Sequence, residues 1–532
     1  MDKPNDESIK VDKRGKGTAD HFTNEHHRLV FHKDGKVDET NTRYDACKFK
    51  QNLQNYSKPI EPDCLFECLP SNLRPLDIEN IGEKSHDLHQ SLENSIFTIS
   101  PIIIAMVVPL LHDLAQQMIQ AGHQQEIFET YRDTRGAVLE QSLQRLGVER
   151  LTTDDVNKMN WEVLQAKIEK WIHYMPISVK QLFATEKKIC DQILDGVESL
   201  RDQSFAGLTA NSFGALISFG EAIAKSKRSP EKLFALIDMF ETMTELMPEF
   251  DLIFGSQPCT EMKESTLNLT KLLAETAHEI FADIFEEAVK KDETKRIVVD
   301  GSVHPLTSYV VNYVKYLFVV SRHGNTYQST LRLIFKEFGN VEDLKSVVVR
   351  IIQALLNNLD GKSKQYKDAA LTQLFLMNNV HYIVRSIRRS EAKDLLGDDW
   401  VQIHRKIVQQ YAKEYKRVSW EKILQCLTAQ PSGSDPIKNS NISVASVKDR
   451  FKTFNSQFEE LHQRQCRWTV PDSELRKSLR LSVAEVLVPA FISFLKRFGP
   501  MIESGKNPQK YIRFTPEDFE RMLNEFLGQD LE

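Results

Sequence analysis

Apolar residues recur through most of this chain at the spacing of one face of an α-helix, and this pattern limits the fold more than any other feature. One stretch shows it well, with apolar side chains at Trp161, Leu164, Ile168, Trp171, Ile172 and Met175. Similar stripes return between residues 213 and 247, whereas strand-like alternation is absent. Only 21 Gly and 19 Pro punctuate the 532 residues, fewer than strand-rich folds need for their turns. We therefore predict an all-α fold.

Several helix boundaries can be predicted from local sequence. Ser229-Pro230-Glu231 and Thr515-Pro516-Glu517-Asp518 each place an N-cap hydroxyl before a proline and acidic residues, which is typical of a helix start. Gly361 and Gly397 stand where helix C-termini favour a left-handed residue. Pro176 is predicted to break or kink the helix that precedes it. The expected architecture is many helices joined by short turns.

The length of the chain fits either several domains or one extended array of helices, and no fixed-length repeat is visible. Residues 1–65 mix charges of both signs with few periodic apolar positions, so we predict a disordered tail. Residues 66–100 are predicted to be a linker, and residues 101–532 to be folded. The apolar run 96–111 is interrupted by two prolines and is shorter than the roughly 20 residues of a membrane span. We interpret it as a buried entry into a core helix.

Composition excludes several classes of function. A net charge of −6 and a pI near 6.2 argue against a general nucleic-acid binder, which needs a basic surface. The seven Cys include no C-x-x-C pair, so neither a zinc site nor a disulfide framework is indicated. The N-terminus lacks the apolar core of a secretory signal. We therefore expect a cytoplasmic protein without a metal or another cofactor.

Two short motifs partly match known phosphate-binding or catalytic motifs, but neither match is complete. Gly361-Lys362-Ser363 resembles the end of a phosphate-binding loop, but Leu356 replaces the first glycine and no strand precedes it. The segment 301–304, Gly-Ser-Val-His, brings a hydroxyl beside an imidazole without the context of a nucleophile elbow. The sequence therefore predicts a binding protein rather than an enzyme.

Basic residues concentrate in the last quarter of the chain. Residues 441–514 carry 13 Lys or Arg against 7 Asp or Glu, within an otherwise acidic protein. Such clusters suit anionic lipid headgroups, at about 1 kcal/mol per basic residue near a charged membrane. A solvated helix face is the alternative interpretation. The candidate residues are Arg476, Lys477, Arg480, Lys496, Arg497, Lys506, Lys510 and Arg513.

Several strings, taken in order, resemble one known family. They begin at Gly301 (GSVHPLTSYVVNY), Met377 (MNNVHYIV), Phe451 (FKTFNSQF) and Lys510 (KYIRFTPED). RSPEKLF at 228–234 and WTVPD at 468–472 add support, so the similarity extends over about residues 101–531. Together these strings resemble the seventy-kilodalton subunit of the exocyst, in its plant-type branch.

This resemblance implies an elongated rod of stacked helical bundles, with a C-terminal bundle at about residues 441–532. It also implies a peripheral membrane protein that helps to tether secretory vesicles to the plasma membrane. Members of the family bind phosphatidylinositol 4,5-bisphosphate partly through a K-Y-I-K string, which here reads Lys510-Tyr511-Ile512-Arg513. Lys510 and Arg513, with Lys506, are therefore the predicted phosphoinositide contacts, and the other basic residues named above are additional candidates. The Arg keeps the charge and adds bidentate capacity.

The resemblance also implies partners. Other exocyst subunits are expected, and a small GTPase is a further candidate. The family usually begins with a helical coiled coil that pairs with another subunit, but residues 1–100 show no sustained heptads. An alternative hypothesis follows: a divergent member outside the complex that acts as an interaction module in trafficking regulation or immunity.

Overall fold

The computed structural model describes residues 39–60, 105–293, 297–337, 343–428 and 443–528. Nearly all regular structure in these ranges is helical, and the β-pairing found there is an isolated bridge between Val320 and Thr326. The all-α prediction is confirmed. The first 38 residues and the predicted linker 66–100 lie outside the described residues.

The first third of the described chain forms seven helices. They are α1 (Glu39–Tyr56), α2 (Val108–Gln120), α3 (Gln124–Arg145), α4 (Thr153–Lys158), α5 (Trp161–Ile177), α6 (Ala184–Ile193) and α7 (Glu198–Lys225). A π-helical segment, Ser178–Phe183, joins α5 to α6 without a turn. Pro176 therefore does not break its helix. The chain continues beyond it as a π-helix, in which each hydrogen bond joins residues five positions apart.

The middle of the chain forms six more helices. They are α8 (Leu233–Glu245), α9 (Met247–Ile253), α10 (Thr260–Glu279), α11 (Phe285–Lys290), α12 (Pro305–Tyr316) and α13 (Tyr327–Glu337). Short 3₁₀ turns at Pro230–Lys232 and Gln257–Cys259 lead into α8 and α10.

Seven further helices complete the described part of the chain. They are α14 (Leu344–Ser363), α15 (Ala369–Arg388), α16 (Ala392–Leu396), α17 (Asp398–Thr428), α18 (Val444–Gln465), α19 (Ser473–Glu503) and α20 (Pro516–Asn524). The C-terminal bundle consists of α17 to α20.

Helices pack mainly on near neighbours in the chain, as in a rod of successive bundles. Thus α3 and α10 pack on α7, whereas α19 packs on α17 and α20. The buried apolar residues form two clusters, one running from Ala46 to Leu396 and one filling the C-terminal bundle. The predicted elongated rod of helical bundles is confirmed, because sequential packing extends the molecule along one direction.

The structure corrects the prediction of disorder for part of the N-terminal region. Residues 39–56 form α1, which packs on α2 and α3. Phe49 and Leu53 are fully buried, and the backbone N–H of Ile60 donates to the Ser142 hydroxyl at 3.1 Å. The prediction failed because α1 has few apolar residues among many polar and charged ones. Its stability comes from tertiary contacts, which local sequence does not indicate.

Two of the predicted signals for helix ends, at Thr515 and Gly397, act as expected. Thr515 and Asp518 form a reciprocal capping box at the start of α20. Gly397 has a φ of +92° at the end of α16. The prediction for Gly361 was wrong, because α14 continues through it to Ser363 and Gly361 does not have the positive φ of a left-handed residue.

Two buried asparagines on α15 connect the two apolar clusters. The Asn378 amide donates to the carbonyl oxygens of Gly301, at 2.7 Å, and Thr469, at 2.8 Å. The Asn379 side-chain oxygen accepts from the backbone N–H of His304, at 2.9 Å, and from the Thr307 hydroxyl, at 2.6 Å. We call this set of contacts the asparagine junction. It joins the loop before α12 to the segment before α19.

We expect Asn379→Leu to destabilise the protein by about 3 kcal/mol, because the His304 N–H and the Thr307 hydroxyl would lose their acceptor in a dry interior. Denaturant unfolding followed by tryptophan fluorescence measures the shift in midpoint. Asn357→Leu, on the exposed face of α14, is the matched control and should change stability by at most about 0.5 kcal/mol. Equal midpoints for the two variants would contradict the role of the junction.

Candidate basic surface

The segment that follows α19 carries the predicted lipid contacts and is bonded to α18 of the C-terminal bundle. Asn455 of α18 is buried, and its amide donates to the Tyr511 carbonyl oxygen at 2.7 Å. A 3₁₀ turn at Pro508–Lys510 begins after Asn507, whose φ is +60°. Lys506 and Lys510 are both exposed in this segment.

Two further lysines, both from α18, approach the same place. The Lys448 Nζ lies 5.4 Å from the centroid of the Tyr511 ring, and the Lys452 Nζ lies 5.8 Å from it. Both distances are within the range of cation–π attraction. Lys448 also lies beside the backbone of Gly505. We call Lys448, Lys452, Lys506 and Lys510 the lysine cluster.

The lysine cluster has little internal compensation of charge. Lys452 lies 3.5 Å from Asp449, and both side chains are more than half exposed, so this pair is weak. No ion pair within the described residues involves Lys448, Lys506 or Lys510. Lys452, Lys506 and Lys510 are exposed, Lys448 is partly exposed, and the four have few acidic partners among the described residues. They therefore create a local positive potential that favours an anionic ligand.

Arg497 belongs to a neighbouring aromatic contact on the same bundle. Its guanidinium lies 5.1 Å from the Phe498 ring centroid, and the Arg450 guanidinium lies 4.9 Å from the same ring. Burial lowers the pKa of Arg450 from its ordinary value, and the nearby Arg497 lowers it further. Lys496 and Arg497 are both exposed in the second half of α19, so they extend the basic surface.

Arg513 has an acidic partner of its own. Its guanidinium donates to both carboxylate oxygens of Glu459, at 2.8 and 3.1 Å. The side chains of Arg513 and Glu459 are 49% and 39% exposed, so solvent screens the pair and a stronger anion can compete for the Arg. Of the two charges in the K-Y-I-R string, Lys510 is thus the more available.

The structure corrects the prediction of lipid contact for Arg476 and Arg480. Both are buried, with 7% and 9% of their surface exposed. Arg476 donates to the Val470 carbonyl at 2.9 Å, and Arg480 donates to the carbonyls of Phe526, at 2.9 Å, and Gly528. Arg480 thus holds residues 526–528 against α19, whereas Arg476 bonds to the segment just before α19.

Lys477 is exposed but lies far from the lysine cluster. It occupies the first turns of α19, about 28 Å along the helix axis from Lys496 at 1.5 Å per residue. The structure therefore does not bring Lys477 together with the lysine cluster. Sequence reasoning missed Lys448 and Lys452, although the run Lys448-Asp449-Arg450-Phe451-Lys452 was a visible basic signal.

Helix α19 is long and apolar enough to cross a membrane by length and composition alone. Its aromatic residues Phe491, Phe494 and Phe498 are buried in the C-terminal bundle. On its outer side it carries Glu474, Glu485 and Lys496. It packs on α17, α18 and α20 and is therefore a helix of the C-terminal bundle.

The described residues contain no group of three or more His, Cys, Asp and Glu side chains that could hold a metal ion. The motif that includes His304 is structural: the imidazole Nδ1 caps α12 by accepting from the Leu306 N–H at 3.1 Å. Ser302 donates its hydroxyl proton to Asp300 at 2.9 Å. The described residues thus form a helical rod with an exposed basic surface.

Comparisons with known proteins identify the family. Residues 169–525 match the family model for the C-terminal part of the Exo70 subunit of the exocyst complex. Exocyst complex component EXO70A3 of Arabidopsis thaliana is 63% identical over 537 residues, covering 100% of this chain and 89% of the relative. EXO70A1 of the same plant is 60% identical over 497 residues, covering 91% of this chain and 77% of the relative.

A solved structure has the same fold. The crystal structure of the Saccharomyces cerevisiae exocyst component Exo70p superposes with a TM-score of 0.52 at 13% identity, covering 92% of this chain and 88% of that chain. The chain belongs to the Exo70 family, in its plant-type branch. Since the family consists of subunits of a tethering complex, the prediction that the chain is not an enzyme is confirmed.

We expect Arg480→Met to lower stability by about 2 kcal/mol, because the Phe526 and Gly528 carbonyls would lose a charged donor. Lys477→Met, one turn earlier on the same helix and exposed, should leave stability within about 0.5 kcal/mol of wild type. Thermal unfolding of the two variants gives the comparison. If Lys477→Met lowered stability as much as Arg480→Met, the hydrogen bonds of Arg480 would not be the cause of the effect.

Proposed function

We propose that the chain is a peripheral membrane subunit of the exocyst, which helps to tether secretory vesicles at the plasma membrane. Membership of the Exo70 family supports the exocyst role, since its relatives are named as exocyst complex components. The other exocyst subunits are the proposed protein partners, and a small GTPase is a further one. The proposed location is the cytoplasm and the cytoplasmic face of the plasma membrane.

The observation that carries the membrane part of the proposal is the lysine cluster around Tyr511. Two lysines of α18 lie at the Tyr511 ring, and two more flank Tyr511 on its own segment. Among the described residues, the acidic side chain paired with them is Asp449, and that pair is weak. A phosphoinositide headgroup carries several phosphate charges, so it can engage several lysines at once.

We assign the central contacts to Lys506 and Lys510, which are exposed and lie on the segment held by Asn455. Lys448 and Lys452 are proposed as contacts from α18, and Lys496 and Arg497 as contacts at the rim. Arg513 contributes after exchanging Glu459 for phosphate, which its planar guanidinium can bind in a bidentate manner.

Charge reversal of Lys506 and Lys510 to Glu should weaken binding to vesicles at least tenfold, because each basic residue near an anionic surface contributes about 1 kcal/mol. Co-sedimentation uses the full-length chain with phosphatidylcholine vesicles containing a small fraction of phosphatidylinositol 4,5-bisphosphate. Vesicles with phosphatidylserine at equal total charge distinguish headgroup recognition from general attraction.

The matched control reverses two exposed lysines outside the cluster, Lys413 on α17 and Lys477 on α19. This variant has the same net charge as the test variant, so it should retain at least half of the wild-type binding. If the test variant sediments as wild type does, the lysine cluster is not the binding surface. An equal loss in both variants would leave only net charge as the cause and would overturn the site.

A further inference from the structure

The short connection between α7 and α8 presents a serine hydroxyl in front of a proline. Ser229 has extended backbone angles, φ −147° and ψ 152°, and it is partly exposed. Its side chain does not make the capping hydrogen bond that the sequence predicts for this position. The hydroxyl is therefore not engaged in holding the helix start, and the backbone before Pro230 already has the extended form in which kinases bind their substrates.

The same connection is rich in positive charge. Lys227 and Arg228 immediately precede the serine, and Lys232 follows three residues later. Lys232 is 7% exposed, and its ammonium donates to two neutral oxygens, the Ser226 hydroxyl at 2.6 Å and the Lys227 carbonyl at 2.7 Å. Burial lowers the pKa of Lys232 from its ordinary value, and the nearby Arg228 and Lys227 lower it further.

The acidic partner of this cluster comes from another helix. The Arg228 Nε donates to the Glu279 carboxylate at the end of α10. The side chains of Arg228 and Glu279 are 35% and 43% exposed, so water reaches the pair. A second, more highly charged anion next to Arg228 could therefore compete with Glu279.

The chain contains a useful comparison at Thr515-Pro516. There the hydroxyl is used by the protein: it accepts from the Asp518 N–H and donates to the Asp518 carboxylate, both at 3.1 Å. Within the described residues, Ser229 and Thr515 are the hydroxyl residues that directly precede proline. The Thr515 hydroxyl makes capping hydrogen bonds, whereas the Ser229 hydroxyl does not.

We propose that Ser229 is a phosphorylation site for a proline-directed protein kinase, and that Arg228 is the cation that pairs with the resulting phosphate. The kinase supplies ATP. The Ser229 oxygen bonds to the γ-phosphorus, the bond between that phosphorus and the β–γ bridging oxygen breaks, ADP leaves, and the hydroxyl proton passes to the base of the kinase. The product adds a charge of about −1.5 to −2 at pH 7, which draws Arg228 away from Glu279 and loosens the contact between this connection and α10.

The first test compares the two serine or threonine sites in the folded protein. Full-length Thr515→Ser protein, which presents serine before proline at both positions, is incubated with ATP and a purified mitogen-activated protein kinase. Quantitative mass spectrometry should find at least ten times more phosphate on Ser229 than on position 515, and Ser229→Ala should remove that signal. Similar occupancy at both positions would overturn the proposal.

A synthetic peptide covering residues 223–235 shows whether the fold permits access. Modification of the peptide with none at Ser229 in the folded chain would mean that the site is closed, and it would contradict the proposal. Failure on the peptide as well would exclude Ser229 as a substrate for this class of kinase.

The second test measures the partner of the phosphate by ³¹P NMR. In the folded phosphoprotein, the second phosphate pKa should lie at least about 0.5 below the usual value near 6, because a cation stabilises the dianion. Arg228→Met should remove most of this shift, whereas Lys225→Met, whose lysine pairs with Glu221 at 2.6 Å, should not. An unchanged pKa in Arg228→Met would exclude Arg228 as the partner. Neither test depends on membrane binding, so the outcome is independent of the proposed exocyst role.

Discussion

The asparagine junction is the contact on which the geometry of the C-terminal half depends. Apolar packing favours burial but does not by itself fix a direction, because it is not directional. Helix α15 contributes apolar residues to both clusters, with Phe375 in one and Met377 in the other. Asn378 and Asn379 of the same helix bond to the backbone of the segment 301–304 and of Thr469. These bonds hold the C-terminal bundle in one register against the rest of the rod. The Gly301 and Met377 strings that suggested the family are the two sides of this junction.

The basic residues of the C-terminal bundle form two groups, one buried and one largely exposed to solvent. Arg476 and Arg480 are buried and bond to carbonyl oxygens, so Arg476 stabilises the segment before α19 and Arg480 stabilises the segment after α20. The lysine cluster lies near the other end of α19, where side chains are exposed and Tyr511 and Asn455 fix the segment that carries Lys506 and Lys510. The lysine cluster thus places exposed positive charge at the end of α19 opposite to the two buried arginines.

Much of the fold could be predicted from sequence, because helical periodicity and capping are local properties. The Thr515 capping box and the left-handed Gly397 needed only a few neighbouring residues. The fate of Arg480 could not be predicted, since its carbonyl partners lie 46 and 48 residues away. Lys448 was missed for the same reason, as it meets Tyr511 only after α18 and α19 pack together. Helix α1 depends on contacts with α2 and α3 that its mostly polar sequence does not indicate.

The central claim is that this rod works as a subunit of the exocyst, and recovery of the complex from native cells tests it most directly. The full-length chain is tagged at its natural level of expression, isolated without crosslinking, and the other exocyst subunits are quantified by mass spectrometry against a tagged EXO70A1 as a positive control. The account predicts that the other subunits are recovered in near-equal molar amounts with both baits. Abundant recovery of this chain without them, while EXO70A1 brings them down, would contradict it and would support a role outside the complex.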